Sequence, residues 1–338
     1  MKEILEIKES LKERLVILAH HYQSQDIVDF ADHTGDSLEL ARKIPNLDVE
    51  YIIFCGVHFM AETASVLASK GQKVFLPDHS AGCVMAQTAP AYLVEIVLNK
   101  LSQKGRKVIP LAYVNSSAEV KAICGKYDGS VCTSANAKIM LSWALKQKDG
   151  VLFIPDRFLG KNTAKKLGLS DKEVMVLDIT NKGNNIDFNK TKDKILFLWP
   201  GVCAVHFRYK PEEILAIKNR YPDSLCVVHP ECSPEVVRLA DADGSTSFII
   251  KYVKDAPKGS TIFIGTEENL VKRLAKTHKD KKISSIKPSF CSNMAKITVE
   301  KLKSTLNFLN SDRYVVEVDE NIKGFAKMAI ETMLEVSK

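Results

Sequence analysis

Apolar residues in this chain come in short runs that end abruptly in polar residues, and the stretches between the runs carry apolar positions at helical spacing. Short apolar runs alternating with helical patterns predict α/β units with mostly parallel sheets. Read in order, the runs form a four-part cycle that occurs three times. The cycle opens on a strand ending in polar residues: VILAHHYQ (16–23), PLAYVNSS (110–117) and CVVHPECS (226–233). A hydroxyl-bearing turn then leads into a helix: HTGDSLEL (33–40), VCTSANAK (131–138) and DGSTSFII (243–250). The third part is an apolar strand entering a polar loop: IIFCGVHF (52–59), LFIPDRFL (152–159) and IFIGTEEN (262–269). The fourth is a proline-containing strand end closed by a cysteine: FLPDHSAGC (75–83), LFLWPGVC (196–203) and SIKPSFC (285–291).

Internal repetition of this kind decides a fold. The expected architecture is three similar α/β/α units with pseudo-threefold symmetry around a central active site, because ligands sit at the carboxyl ends of strands in open α/β sheets. The units are drawn at 1–90 with an N-terminal helix, 91–208 and 209–300, with a C-terminal extension over 301–338 packing on the core. Helices are expected over 2–14, from about Ile297, and over Glu320–Val336, with a short strand at 314–318.

Matched positions in the repeat single out three sets of residues. Cys83, Cys203 and Cys291 close the cycle each time, and thiolates select zinc, copper(I) or iron–sulfur clusters. The other five cysteines read as structural: Cys55 and Cys226 in apolar strands, Cys132 at a strand end, Cys124 in a glycine-flanked loop and Cys232 after a proline–glutamate turn. Ser37, Ser134 and Thr246 are placed at helix starts, where exposed N–H groups favour phosphate or carboxylate, although hydroxyls there also serve as plain caps. Asp36 with Glu39 fits a capping box, which puts Ser37 in the first turn. The third set is the strand ends His20–His21–Tyr22, Tyr113–Val114–Asn115 and His229–Pro230–Glu231, whose histidines and glutamate suit acid–base chemistry. His206, three residues after Cys203, is a further candidate contact.

Composition changes little. A net charge of +7 over 338 residues suits anionic small molecules, but the lysines are scattered rather than gathered into a nucleic-acid stripe. The start, MKEILEIKESLKERL, lacks the apolar core of a signal peptide and no apolar run reaches membrane-spanning length, so a cytoplasmic protein is expected. No CxxC pair, P-loop, GxGxxG, HExxH or nucleophile elbow is present, which removes support for a zinc ribbon, nucleotide hydrolysis, dinucleotide redox and serine hydrolysis. A zinc hydrolase built on Cys83, Cys203 and Cys291 with His229, and a non-enzymatic iron–sulfur carrier or basic nucleic-acid module, stay open at this level.

The motifs AHHYQ (19–23), GDSLELAR (35–42), FMAE (59–62), YVNSSAEVKA (113–122), CTSAN (132–136), WPGVCAVH (199–206), HPEC (229–232), GST (244–246) and CSNMAKIT (291–298) follow one another as in quinolinate synthases. The chain resembles that family over roughly residues 15–308. The resemblance implies a transferase that condenses iminosuccinate with dihydroxyacetone phosphate to quinolinate in NAD biosynthesis. It implies a 4Fe–4S cluster held by Cys83, Cys203 and Cys291, with one iron left open. His20, Ser37, Tyr113, Val114, Asn115, Ser134, His229, Pro230, Glu231 and Thr246 would line the substrate sites, with Tyr22 and Glu231 as acid–base residues and His229 beside them. An L-aspartate oxidase or aspartate dehydrogenase is the implied functional partner, with neither nucleic acid nor membrane. Three departures from the family pattern are His21, Ala204 and the longer stretch 124–130.

Overall fold

The computed structural model describes residues 2–103 and 106–338. The apolar runs become strands, and the two central strands of the first and second sheets are buried along their whole length, as parallel sheets covered by helices require. The first sheet contains β1 (Leu15–His20), β2 (His33–Gly35), β3 (Tyr51–Cys55) and β4 (Lys73–Phe75), in the order β2-β1-β3-β4. The second contains β5 (Val108–Tyr113), β6 (Ser130–Cys132), β7 (Gly150–Ile154), β8 (Val174–Val176) and β9 (Leu196–Leu198), in the order β6-β5-β7-β9-β8. The third contains β10 (Leu225–Val228), β11 (Ala242–Asp243), β12 (Thr261–Gly265) and β13 (Lys282–Ser285), in the order β11-β10-β12-β13.

All strand pairs within the sheets are parallel, and the central pair has the same register at its carboxyl end in each: the residues just before the strand-end trios, Ala19, Ala112 and Val228, lie opposite Cys55, Ile154 and Gly265. The three α/β units expected from the repeat are therefore present as three sheets of one topology. β8 is an extra strand on the edge of the second sheet, outside the repeated cycle.

By its contacts the chain divides into two units. One comprises 1–83, 208–229 and 238–318, and so contains the first and third sheets. The other comprises 84–207, 230–237 and 319–338, and contains the second. In the former, Lys8 on the helix Lys2–Leu11 donates to Phe30 O at 2.6 Å, and Lys303 pairs with Glu3 at 2.6 Å. In the latter, the helix Glu320–Val336 lies against the helix Ala118–Lys126 so closely that a Cβ on Gly125 would sit 2.0 Å from Phe325 O. Only glycine permits that backbone approach. Ser130 Oγ donates to Ala329 O at 3.0 Å and fixes the same helix from the strand side.

Three local expectations need correction. Cys124 lies inside the helix Ala118–Lys126 and not in a loop, because packing of the helix Glu320–Val336 against Gly125 carries the helix through the glycine. Residues 314–318 form one antiparallel bridge, Val315 to Phe75, rather than a strand. Ser134 sits in the turn ahead of the helix Ala137–Leu145, where Thr133 N donates to Asn136 Oδ1 at 2.7 Å and delays the first helical turn. No helix among the described residues is long and apolar enough to cross a membrane.

Candidate active site

In each sheet the order reverses between the first and third strands of the cycle. At such a switch point the following loops diverge and leave a crevice at the carboxyl ends. The loops entering those crevices carry the strand-end residues singled out above: Tyr22 after β1, Val114 and Asn115 after β5, and His229, Pro230 and Glu231 after β10. The matched cysteines lie one strand further out, in the loops after β4, β9 and β13. Cys83, Cys203 and Cys291 are partly exposed, whereas the other five cysteines are buried. Burial pushes the thiols of Cys55 and Cys124 up to about 12 and that of Cys226 to about 11, and holds Cys132 well above its ordinary value. Those four stay protonated and make poor ligands.

Around the second sheet, Asp156 joins the chemistry to the fold. It is fully buried and caps the helix Arg157–Lys166, Oδ1 accepting from Phe158 N and Leu159 N at 2.8 Å. Its Oδ2 accepts from Cys203 N at 3.2 Å, which ties the Cys203 loop to the strand end. Burial, reinforced by the Glu231 charge, raises the Asp156 carboxyl well above the usual range. Glu231 Oε2 lies 2.9 Å from His206 Nδ1, both residues being buried. One ligand atom each from Cys203, His206 and Glu231 falls within 4.8 Å of the others. Asn115 Oδ1 is buried and has no hydrogen-bond partner among the described residues, so it is an acceptor available to a ligand.

The WPGVC loop depends on a close approach. A Cβ on Gly201 would lie 2.6 Å from Pro155 O and 2.5 Å from Thr88 Oγ1. Gly201→Ala is therefore expected to destabilise the protein by about 1–3 kcal/mol through overpacking, read by urea denaturation.

Around the first and third sheets, His20 Nδ1 accepts from Tyr22 N at 3.1 Å, and the two rings meet edge-on with centroids 4.7 Å apart. The Tyr22 hydroxyl bonds Thr266 Oγ1 at 2.7 Å. Glu267 repeats the Asp156 arrangement: it caps the next helix through Asn269 N at 2.7 Å and accepts from Cys291 N at 3.4 Å. Its burial raises the carboxyl to about 7. Ser37 opens the helix Ser37–Lys43 over the expected Asp36–Glu39 capping box, and Thr246 opens the helix Thr246–Asp255, capped by Ser245. The two helix starts are linked, since Ser247 Oγ donates to Asp36 Oδ2 at 2.8 Å.

Glu39 is held down to about 2, chiefly by the neighbouring His21, whose Nε2 lies 3.6 Å from its Oε2. A lowered carboxyl contributes stability that is present above its unfolded value near 4.5 and is lost as pH falls toward 2. Because the Glu39 side chain is 47% exposed, solvent screening limits this to about 1 kcal/mol. Glu39→Gln should accordingly lower the melting temperature slightly at pH 7 and match the parent near pH 2 in a pH series.

Asp156 and Glu267 escaped the sequence reading because windows beginning at 152 and 262 set Asp156 against Thr266. The strand ends Ile154 and Gly265 set it against Glu267, two residues on in both repeats. An acidic residue recurring just past the third strand was the available signal.

Doubly wound sheets whose switch-point loops carry buried carboxylates, histidine and tyrosine, with thiols at matched positions, define an α/β enzyme. The family described as Quinolinate synthetase A protein matches residues 2–335. The quinolinate synthase of Streptomyces coelicolor is 44% identical over 337 residues, covering 97% of this chain and 86% of the relative. Those of Bacillus pumilus and Bacillus subtilis are each 43% identical, covering 98% of this chain and 92% and 91% of theirs. The chain belongs to the quinolinate synthase family, whose reaction condenses iminosuccinate with dihydroxyacetone phosphate.

Proposed function

We propose that this chain forms quinolinate from iminosuccinate and dihydroxyacetone phosphate, releasing phosphate and two waters, for NAD biosynthesis. The supporting observation is the match of Cys83, Cys203 and Cys291, each in the loop after the fourth strand of its repeat and each partly exposed where the other thiols are buried. Their donor set fits a 4Fe–4S cluster with one open iron: accessible thiols, two of them on loops tethered through their own N–H groups. When bound, the cluster would supply a Lewis-acidic iron for substrate oxygens.

The chain's own residues do the rest. Glu231, beside His206, and Tyr22, beside Thr266, move protons during dehydration. His20, Tyr113, Val114, Asn115, His229 and Pro230 line the substrates, Asn115 through its available carbonyl oxygen. Ser37, Ser134 and Thr246 hold phosphate and carboxylates, converting a multi-part condensation into a positioned one. The same reading keeps the repeat boundaries at 90, 208 and 300, a cytoplasmic location, and an L-aspartate oxidase or aspartate dehydrogenase as the source of iminosuccinate.

Anaerobic purification followed by iron, sulfide and quinolinate assays tests the reading. Iron with sulfide and quinolinate formation are expected, and colourless active protein containing zinc would overturn it. Alanine at Ser37, Ser134 or Thr246 should weaken substrate binding by roughly 1.5–3 kcal/mol per lost charge-assisted contact, with iron content unchanged. Unaltered KM in all three variants would return these residues to helix capping and turn formation.

A further inference from the structure

The two loops assigned to proton transfer are both held by a helix from a different repeat. In the unit containing the second sheet, Asn162 is buried and its Nδ2 donates to Pro230 O at 2.8 Å and Cys232 O at 2.9 Å. These carbonyls flank Glu231 on either side. In the other unit, Asn269 Nδ2 donates to Tyr22 O at 3.1 Å, while Arg273 donates to His21 O and, at 3.2 Å, to Gln23 O. These carbonyls belong to Tyr22 and its two neighbours. Asn162 lies six residues after the capping Asp156, and Arg273 lies six residues after the capping Glu267. The helix after the third strand of the second repeat thus grips the first-strand loop of the third repeat. The helix after the third strand of the third repeat grips that of the first.

Plain loop support would be satisfied by a carbonyl or two anywhere along the segment. Here every donor falls on a carbonyl of the reactive residue or of one of its two sequence neighbours, and an amide or guanidinium forking between carbonyls fixes direction as well as position. The same helices hold the cysteine loops of their own repeats through Asp156 and Glu267. Each therefore ties a proposed proton-moving residue to a proposed ligand loop through one rigid element.

We propose that Asn162, and Asn269 with Arg273, are positioning residues that aim Glu231 and Tyr22 at the substrate. This deepens the proposed function and rests on that reading of Glu231 and Tyr22. Misplacing a reacting group by about 1 Å costs up to about 10²-fold in rate. In anaerobically purified holoenzyme, Asn162→Asp, which turns the donor into a carboxylate facing two carbonyls, is expected to lower kcat per cluster about 10- to 100-fold. KM and iron per chain should stay near the parent values. Asn269→Ser and Asn162→Ser, which remove donors without adding charge, should act in the same direction to a smaller extent, and serve where the aspartate variant does not fold. Unchanged kcat per cluster in the serine variants, or activity lost only in step with iron, would overturn the proposal. Parent enzyme that makes no quinolinate would instead overturn the functional reading beneath it.

Discussion

Serine in place of Cys83, Cys203 or Cys291, one at a time, is expected to bring both iron content and quinolinate formation down to background. Each of the three sits in the loop after the fourth strand of its repeat, partly exposed, and two of those loops are fastened by a buried carboxylate to the neighbouring strand end. No nearby thiol on the same loops can take over the role. The other five cysteines should behave differently. Cys55, Cys124, Cys132 and Cys226 are buried thiols with raised pKa values, so alanine there should leave iron and sulfide intact and cost about 1 kcal/mol in packing. Cys232 is the sharpest comparison because it adjoins Glu231. The structure uses its carbonyl, which accepts from Asn162, so substitution of the thiol should be tolerated. Iron and sulfide analysis of the eight variants checks the division; loss of the cluster from a folded Cys232→Ala variant would add a fourth ligand and close the open iron.

Glu231→Gln should lower kcat by about 10²–10⁴-fold, the range for losing a positioned general acid or base, while the cluster is retained. The amide keeps the volume and a carbonyl oxygen toward His206, so the buried pair at 2.9 Å is altered in its proton and charge rather than in its packing. Tyr22→Phe removes only the hydroxyl that bonds Thr266 Oγ1, leaving the ring against His20, and should cut kcat by a smaller factor of about 10–10². Steady-state kinetics normalised to iron content provide the measurement. Rates within about threefold of the parent in both variants would remove these residues from proton transfer.

Much of the architecture was legible because it is written in local patterns. Alternation of apolar runs and helical spacing is a property of neighbouring residues, so the three apolar strands of each cycle and their parallel arrangement followed once the cycle was recognised three times, whereas β2, β6 and β11, read as turns, and β8, outside the cycle, did not. The capping box from Asp36 to Glu39 spans four residues, and the structure shows both of its bonds. Departures arose where local signals compete. The glycine beside Cys124 suggested a loop, but helix packing against Phe325 carries the helix through it. At Ser134 a hydroxyl-rich turn looked like a helix start, yet the Thr133–Asn136 hydrogen bond occupies the position.

The sequence by itself determined the repeat, the cysteines at its closing position, the polar ends of its first strands and the family likeness they carry. Tertiary structure alone decided which groups support them. Asp156 with Cys203, Glu267 with Cys291, His206 with Glu231, and Asn162 with the carbonyls around Glu231 are pairs separated by tens of residues. Periodicity reports only which face of an element is buried. Which polar atom meets which across a crevice depends on strand order and helix placement, and those are set by the packing of the whole unit.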